Sequence, residues 1–344
     1  MKTKTTIPMA VTNHMLELWN TLEVSQNMGI EKRLYSSQLP FHIFATWTYD
    51  DKEYGIAFSY PDRINVDVNL FQTLKKLRVD LYDDRTLKHY KLLVIQLLEP
   101  TLKESFSWLC ESLIAIIKNF DNEDDMVRTV LGHIEEWRNL FEKHAPGGLS
   151  SALQQGLYGE LGFLKTLLTK STFSVSDAVE YWVGSEPALR DFQGDSWAVE
   201  VKTSASNNPQ GVIISSERQL DETLFNNLFL LHISLEKSRR NGESLPERVS
   251  SIRSLLDNDP SALSSFNAKL VKAGYFNEEE GLYLTNKYKT RDSRFYRIEK
   301  DFPRIKEQEL REGVGEITYK IVLSACTDYR KPETEVLRTI QEND

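Results

Sequence analysis

Two carboxylates and a lysine, Asp191, Glu200 and Lys202, fall inside the single stretch Asp191-Phe192-Gln193-Gly194-Asp195-Ser196-Trp197-Ala198-Val199-Glu200-Val201-Lys202. The stretch reads as two short strands joined by a tight turn at Gly194-Asp195, where both residue types favour turn geometry. In the second strand Trp197, Val199 and Val201 alternate with Ala198, Glu200 and Lys202, so the two charges share one face. A strand over 189–192 that returns through Gly194 sets Asp191 beside Glu200. Carboxylates held that close repel unless a cation sits between them, and hard divalent ions such as Mg²⁺ prefer such oxygens. The plainer reading makes Glu200 and Lys202 a solvated ion pair at a sheet edge.

The elements around this stretch follow from hydrophobic period. Ser150 or Ser151 caps a helix running to 169, with Leu153, Leu157, Leu161, Leu164 and Leu168 on one side. Gly156, Gly159 and Gly162 each cost about 1 kcal/mol in a helix interior, so something packs closely against them. Strands are expected over 178–184, at Asp191, at Glu200, over 212–215 and over 228–235, with a helical turn over 216–220. Beyond 235 the pattern gives helices over 246–256 and 260–273, then strands near 282–288, 295–298 and 317–324.

Upstream, a helix is expected over 15–19 and a β-hairpin from 41–47 to 54–58. Short β-like runs follow over 64–68 and 77–81, and the apolar run 90–98 suits a central strand or a buried helix. Helical spacing then carries Phe106, Leu109, Cys110, Leu113, Ile116 and Ile117, and a second helix runs over 123–144. His133 and Glu136, at i,i+3, read as structural, because helical carboxylate metal sites need several such motifs. Ala145-Pro146-Gly147-Gly148 is the strongest breaker and marks a domain boundary.

The chain has 344 residues, a net charge of −9 and two cysteines. That length suits about two domains. The acidic balance argues against a constitutive non-specific nucleic-acid binder but leaves a metal-dependent nuclease open. Two cysteines are too few for a disulfide framework, and no membrane-spanning or targeting segment is read. A cytoplasmic location is expected. No phosphate loop, serine-hydrolase elbow or dinucleotide fingerprint occurs.

Asp191 followed by Glu200-Val201-Lys202 resembles the active-site signature of the PD-(D/E)XK nuclease superfamily, although Arg190 stands where many members carry proline. Residues 215–220 and the run Phe302-Pro303-Arg304-Ile305 resemble an uncharacterised bacterial branch whose genes often neighbour those of DNA methyltransferases and helicase-like proteins. The likeness is good over 150–235, loose over 236–326 and hardly present earlier.

The resemblance implies an α/β (α+β) fold. A restriction-endonuclease-like core (helix, three strands, helix, strand) over 150–235 joins an N-terminal mixed domain over 1–145 and a C-terminal extension over 236–344. It implies a Mg²⁺-dependent DNA endonuclease of a restriction-modification or phage-defence system, with Mn²⁺ as substitute. Asp191, Glu200 and the Val201 carbonyl would hold the ion. Lys202 would orient water and stabilise developing charge, and Glu160 would supply a further ligand. Gln219 is a secondary site candidate, equally well explained as a helix-capping residue; Glu160 can likewise be read as a solvated helix charge.

The implied partners are DNA, with methyltransferase or ATPase subunits and a homodimer as further candidates, and no membrane. A catalytically inert nucleic-acid-binding or scaffold subunit, and a DNA-repair nuclease, are the rival readings. Residues 287–306 carry eight basic residues against three acidic ones, interleaved with Tyr288, Phe295, Tyr296 and Phe302, which suits phosphate contact; a solvated pair of strands explains them too.

Overall fold

The computed structural model describes residues 13–67, 71, 75–143, 147–184, 190–205 and 211–344. Two compact units result: Met1–Gly148 with Phe276–Glu278, and Leu149–Tyr275 with Glu279–Asp344.

The first unit contains helix α1 (His14–Leu22), strands β1 (Ile30–Leu34), β2 (Ile43–Thr48), β3 (Glu53–Pro61), β4 (Leu77–Asp83) and β5 (Tyr90–Leu97), and helices α2 (Lys103–Ile117) and α3 (Glu123–Lys143). Its sheet runs β1-β2-β3-β5-β4, antiparallel at every pairing. The hairpin expected from sequence is β2–β3, closing through Thr48 opposite Glu53. The 90–98 run is a strand, because β5 pairs with β3 on one edge and β4 on the other. Phe44, Ala57, Leu92 and Val94 form a separate apolar cluster, so the central strands bury both faces and lose the clean alternation of a half-exposed sheet. Residues 64–67 are not a strand. The chain turns there, with the Ile64 amide donating to the Pro61 carbonyl at 3.1 Å, and Val68 lies outside the described residues.

The second unit begins with α4 (Ser151–Lys170), whose first turn is capped by the Ser150 side chain accepting from the Leu153 amide. Then come α5 (Val175–Glu180), β6 (Phe192–Gln193), β7 (Trp197–Ser204), β8 (Gly211–Ile214), β9 (Asn227–Ser238), β10 (Glu243–Ser244), α6 (Leu245–Leu256), α7 (Pro260–Lys272), β11 (Lys287–Arg297), β12 (Tyr319–Val322), β13 (Arg330–Lys331) and α8 (Glu333–Glu342). The main sheet has the order β10-β11-β9-β7-β6, with β13 also on β11. β6 and β7 form an antiparallel hairpin, and β7 pairs parallel with β9. Parallel neighbours need a crossover; here it carries β8 and the 3₁₀ turn Glu217–Leu220. β8 pairs with β12 in a small second sheet, which shares an apolar cluster with Ala198, Leu230 and Tyr296 of β7, β9 and β11.

Several expectations change here. Residues 178–184 are not a strand: Ser174 accepts from the Asp177 amide and starts α5, leaving only a bridge between Trp182 and Phe192. The core order is therefore helix, short helix, hairpin, crossover and strand. The apolar side of α4 is Leu157, Leu161, Phe163, Leu164 and Leu167; Leu153 is 60% exposed and Leu168 only half-buried. Over 282–288 the chain ends the 3₁₀ turn Asn277–Tyr283 and turns, and only Lys287 and Tyr288 are strand, the start of β11. The 295–298 run is the end of one long strand, β11, which bulges between Thr290 and Asp292.

Candidate active site

Two close approaches set the position of the acidic groups. A Cβ on Gly159 would stand 2.3 Å from Thr203 Cγ2 and 3.5 Å from Val201 Cγ1. Only glycine lets α4 lie this near β7, and it brings Glu160, the next residue, to the site. Gly162 is similarly close to the Arg248 guanidinium, at 2.6 Å, whereas Gly156 faces open space. The second approach is Gly184, where an added Cβ would lie 2.8 Å from Glu160 Oε2 and 3.0 Å from Asp191 Oδ1. Both carboxylates thus converge on one point of backbone.

Glu160 Oε2 accepts from Trp182 Nε1 at 2.9 Å. Asp191 immediately precedes β6, and its carbonyl accepts from the amides of Val183 and Gly184 at 2.9 and 3.0 Å. Its Oδ2 accepts from the Val201 amide at 2.7 Å. A residue's N–H and C=O leave a strand on the same edge, so the Val201 carbonyl points to the edge that Asp191 occupies. Glu200 is 1% exposed. Its Oε1 lies 2.6 Å from Lys202 Nζ, and among the described residues its Oε2 has no hydrogen-bond partner.

Burial and mutual repulsion disfavour the charged forms of these acids. Burial, then the Asp191 and Glu160 charges, push the Glu200 carboxyl up to about 8 against the pull of Lys202. Burial and Asp191 raise Glu160, against the Trp182 hydrogen bond. Burial also raises Asp191, although the Val201 amide and Lys202 oppose it. For Lys202 burial works against the charge, yet Glu200, Asp191 and Glu160 outweigh it and raise its pKa. One lysine thus faces three carboxylates that disfavour one another.

The structure therefore brings together Asp191, Glu200, Lys202, Glu160 and the Val201 edge. Gln219 Oε1 accepts from the Ser215 amide at 2.8 Å, a local turn bond of the kind the capping reading expects. Trp182 and Gly184 are not singled out by the sequence. Trp182 sits in a segment whose β-like residues masked its role, and Gly184 had no signal beyond being glycine.

Carboxylate oxygens are the donor type a hard cation prefers, and a buried carboxylate oxygen without a hydrogen bond, such as Glu200 Oε2, calls for an explanation. Even so, among the described residues no three His, Cys, Asp or Glu side chains are gathered closely enough to hold an ion. The Lys202 ammonium stands against one of the Glu200 oxygens.

A family model described as "Putative PD-(D/E)XK family member, (DUF4420)" matches residues 15–324. The chain belongs to this family. The DUF4420 match begins inside α1, so the family takes in most of the first unit as well, which the likeness over 150–235 left out. No curated protein and no solved structure matches the chain.

The basic run over 287–306 is largely neutralised within its own unit. Lys287 bonds Glu247 at 3.0 Å, Arg294 pairs with Asp292, and Arg297 reaches Asn227 at 3.0 Å and Glu299 at 3.6 Å. Arg304, with a side chain 1% exposed, and Lys306 both engage Glu222. These five are therefore not an open strip for phosphates. Among the described residues, no helix is long and apolar enough to cross a membrane.

Proposed function

We propose that this chain is a divalent-metal-dependent DNA endonuclease that hydrolyses phosphodiester bonds within a bacterial restriction-modification or phage-defence system. The single observation that carries the reading is the buried, partnerless Glu200 Oε2 beside Asp191, Glu160 and Lys202. Family membership in a PD-(D/E)XK group supports it. A Mg²⁺ or Mn²⁺ ion would polarise the phosphoryl oxygen and lower the pKa of water. Asp191, Glu200 and the Val201 carbonyl would hold it, with Glu160 as a further donor.

Lys202 has its own part. With Glu200 committed to a cation, the Lys202 ammonium would be available to orient the attacking water and to neutralise charge developing on the phosphoryl oxygens. The Val201 amide fixes Asp191 from one side and Trp182 fixes Glu160, so the donors need little ordering when substrate binds.

A second reading, an inert nucleic-acid-binding or scaffold subunit, is favoured by one feature: Lys202 already neutralises Glu200 at 2.6 Å. Plasmid nicking by the purified chain, with and without Mg²⁺ or Mn²⁺, separates the two. Nicking that requires the ion and is lost in Glu200→Gln supports the nuclease; no nicking under any divalent ion supports the scaffold. Methylated, unmethylated and branched duplexes tested side by side distinguish restriction from repair.

A further inference from the structure

Next to the acidic group, and separate from it, lies a cavity of about 730 Å³ whose wall includes Arg190, Arg218, Asp221, Glu222, Lys306 and Glu307. That volume suits a nucleotide-sized ligand. The acidic members of the wall are already engaged. Asp221 accepts from the Thr223 amide at 3.0 Å and from its hydroxyl. Glu222 pairs with Arg304 and Lys306, and Glu307 with Arg218 at 2.8 Å.

Arg190 is different. It is 3% exposed, and its Nη2 donates only to a neutral group, the Asp221 carbonyl, at 2.5 Å. Its guanidinium carbon stands 5.3 Å from the Phe225 ring centre, and its Nε is buried without a partner. Among the described residues no carboxylate comes within ion-pair distance of it. The Glu200 and Asp221 carboxylates act on it only from beyond ion-pair distance; a buried guanidinium with no anion in direct contact is costly, and its fork of donors matches phosphate. Arg190 also directly precedes Asp191, so an anion held there sits beside the acidic site. Leu224, 72% exposed and part of the same wall, offers apolar surface for a sugar or base.

We propose that this cavity is a subsite for one backbone phosphate of a polynucleotide strand, gripped by Arg190 with Arg218 at its mouth. The identity of the strand rests on the nuclease reading; the anion site does not. Arg218 would exchange its exposed pair with Glu307 for the phosphate, so Arg190 is what sets this cavity apart; a second one, of about 320 Å³, is lined by Lys165, Lys170 and Arg248, each paired with Glu243 or Glu333, and has no such buried cation.

The test uses the full chain in EDTA, so that nothing is cut, and fluorescence anisotropy with a short oligonucleotide. One linkage at a time is replaced by an uncharged methylphosphonate. For the wild type, one neutral linkage should weaken binding by about tenfold, as expected for loss of a charge-assisted pair. Arg190→Lys and Arg218→Ala should weaken binding of the all-phosphodiester strand by a similar factor and respond no further to that linkage. Arg218 is half-exposed, so its variant carries the test if Arg190→Lys does not fold.

Folded variants that still discriminate the neutral linkage would overturn the proposal. So would inorganic phosphate competing equally well against wild type and Arg218→Ala, or no binding of the oligonucleotide at all. A linkage effect in a chain that no divalent ion activates would keep the subsite and remove the nuclease. Cleavage without any linkage effect would do the reverse.

Discussion

Two buried carboxylates, one in each unit, have opposite fates. Asp84, just after β4 in the first unit, is 5% exposed. It accepts from Lys32 Nζ at 2.9 Å, Ser59 Oγ at 2.7 Å, the Thr86 amide at 2.9 Å and the Thr86 hydroxyl at 2.6 Å. Burial alone would raise its pKa, yet the bonds from Thr86, Ser59 and Lys32 hold it well below the usual carboxylate range. Glu200 is more deeply buried, has one lysine and one empty oxygen, and is pushed up. Where the fold needs a charge it satisfies it; where a carboxylate is left unsatisfied among other carboxylates, stability is being given up for something else.

The largest test of that contrast is activity. Glu200→Gln and Asp191→Asn should each lower ion-dependent nicking by more than about a hundredfold, with melting temperature unchanged or higher because a repelling charge is gone. Asp84→Asn should nick like the wild type. Asp195→Asn should too, because Asp195 is an exposed turn residue. If Asp195→Asn is the inactive one, the ligand lies in the turn. Next comes stability: Asp84→Ala strands Lys32 and two hydroxyl donors, and should cost about 1–3 kcal/mol in urea unfolding.

The pH response should also differ in sign. Glu200 keeps a proton in the folded chain, but not in the unfolded one, from its ordinary range near 4.5 up to about 8. Its contribution to stability therefore falls as pH rises through that window, and Glu160 and Asp191 act the same way. Asp84 does the opposite, contributing above the ordinary carboxylate range and losing that contribution as the medium becomes strongly acid. In EDTA, the melting temperature should drop between about pH 5 and pH 8, Glu200→Gln should flatten the drop, and Mg²⁺ should recover it at the alkaline end. A flat wild-type profile would mean that the three acids do not share one site.

The smallest effects compare glycines on one helix. Gly159→Ala meets Thr203 at 2.3 Å and should cost about 1–3 kcal/mol. Gly156→Ala, in open space, should gain about 0.5–1 kcal/mol. Equal effects would show that α4 does not lean on β7.

Much of this site could be read from residue order. The period-2 alternation of β7 put Glu200 and Lys202 on one face, and glycines in an otherwise good helix announced the close approach that delivers Glu160. What could not be read depended on contacts between distant segments. Val179, Tyr181 and Trp182 look like a strand, but Ser174 with Asp177 three residues on is a helix-start signal that overrides them. Of the basic residues of 287–306, Lys287, Arg297, Arg304 and Lys306 look free in the sequence until Glu247, Asn227 and Glu222 come back to meet them. Arg190 reads as a mere departure from a motif, and only its burial without an ion-pair contact among the described residues singles it out.

The parallel pairing of β7 with β9 has a consequence for the order in which the molecule is made. Every charged residue of the acidic group lies between 160 and 202, so a ribosome has emitted the whole motif well before the middle of the second unit. β7 nevertheless remains without its inner neighbour until 227–238 emerge, and β9 in turn waits for 287–297. Long-range pairings of this kind form late. A nascent chain therefore carries the motif for much of its synthesis with the sheet that braces it unmade.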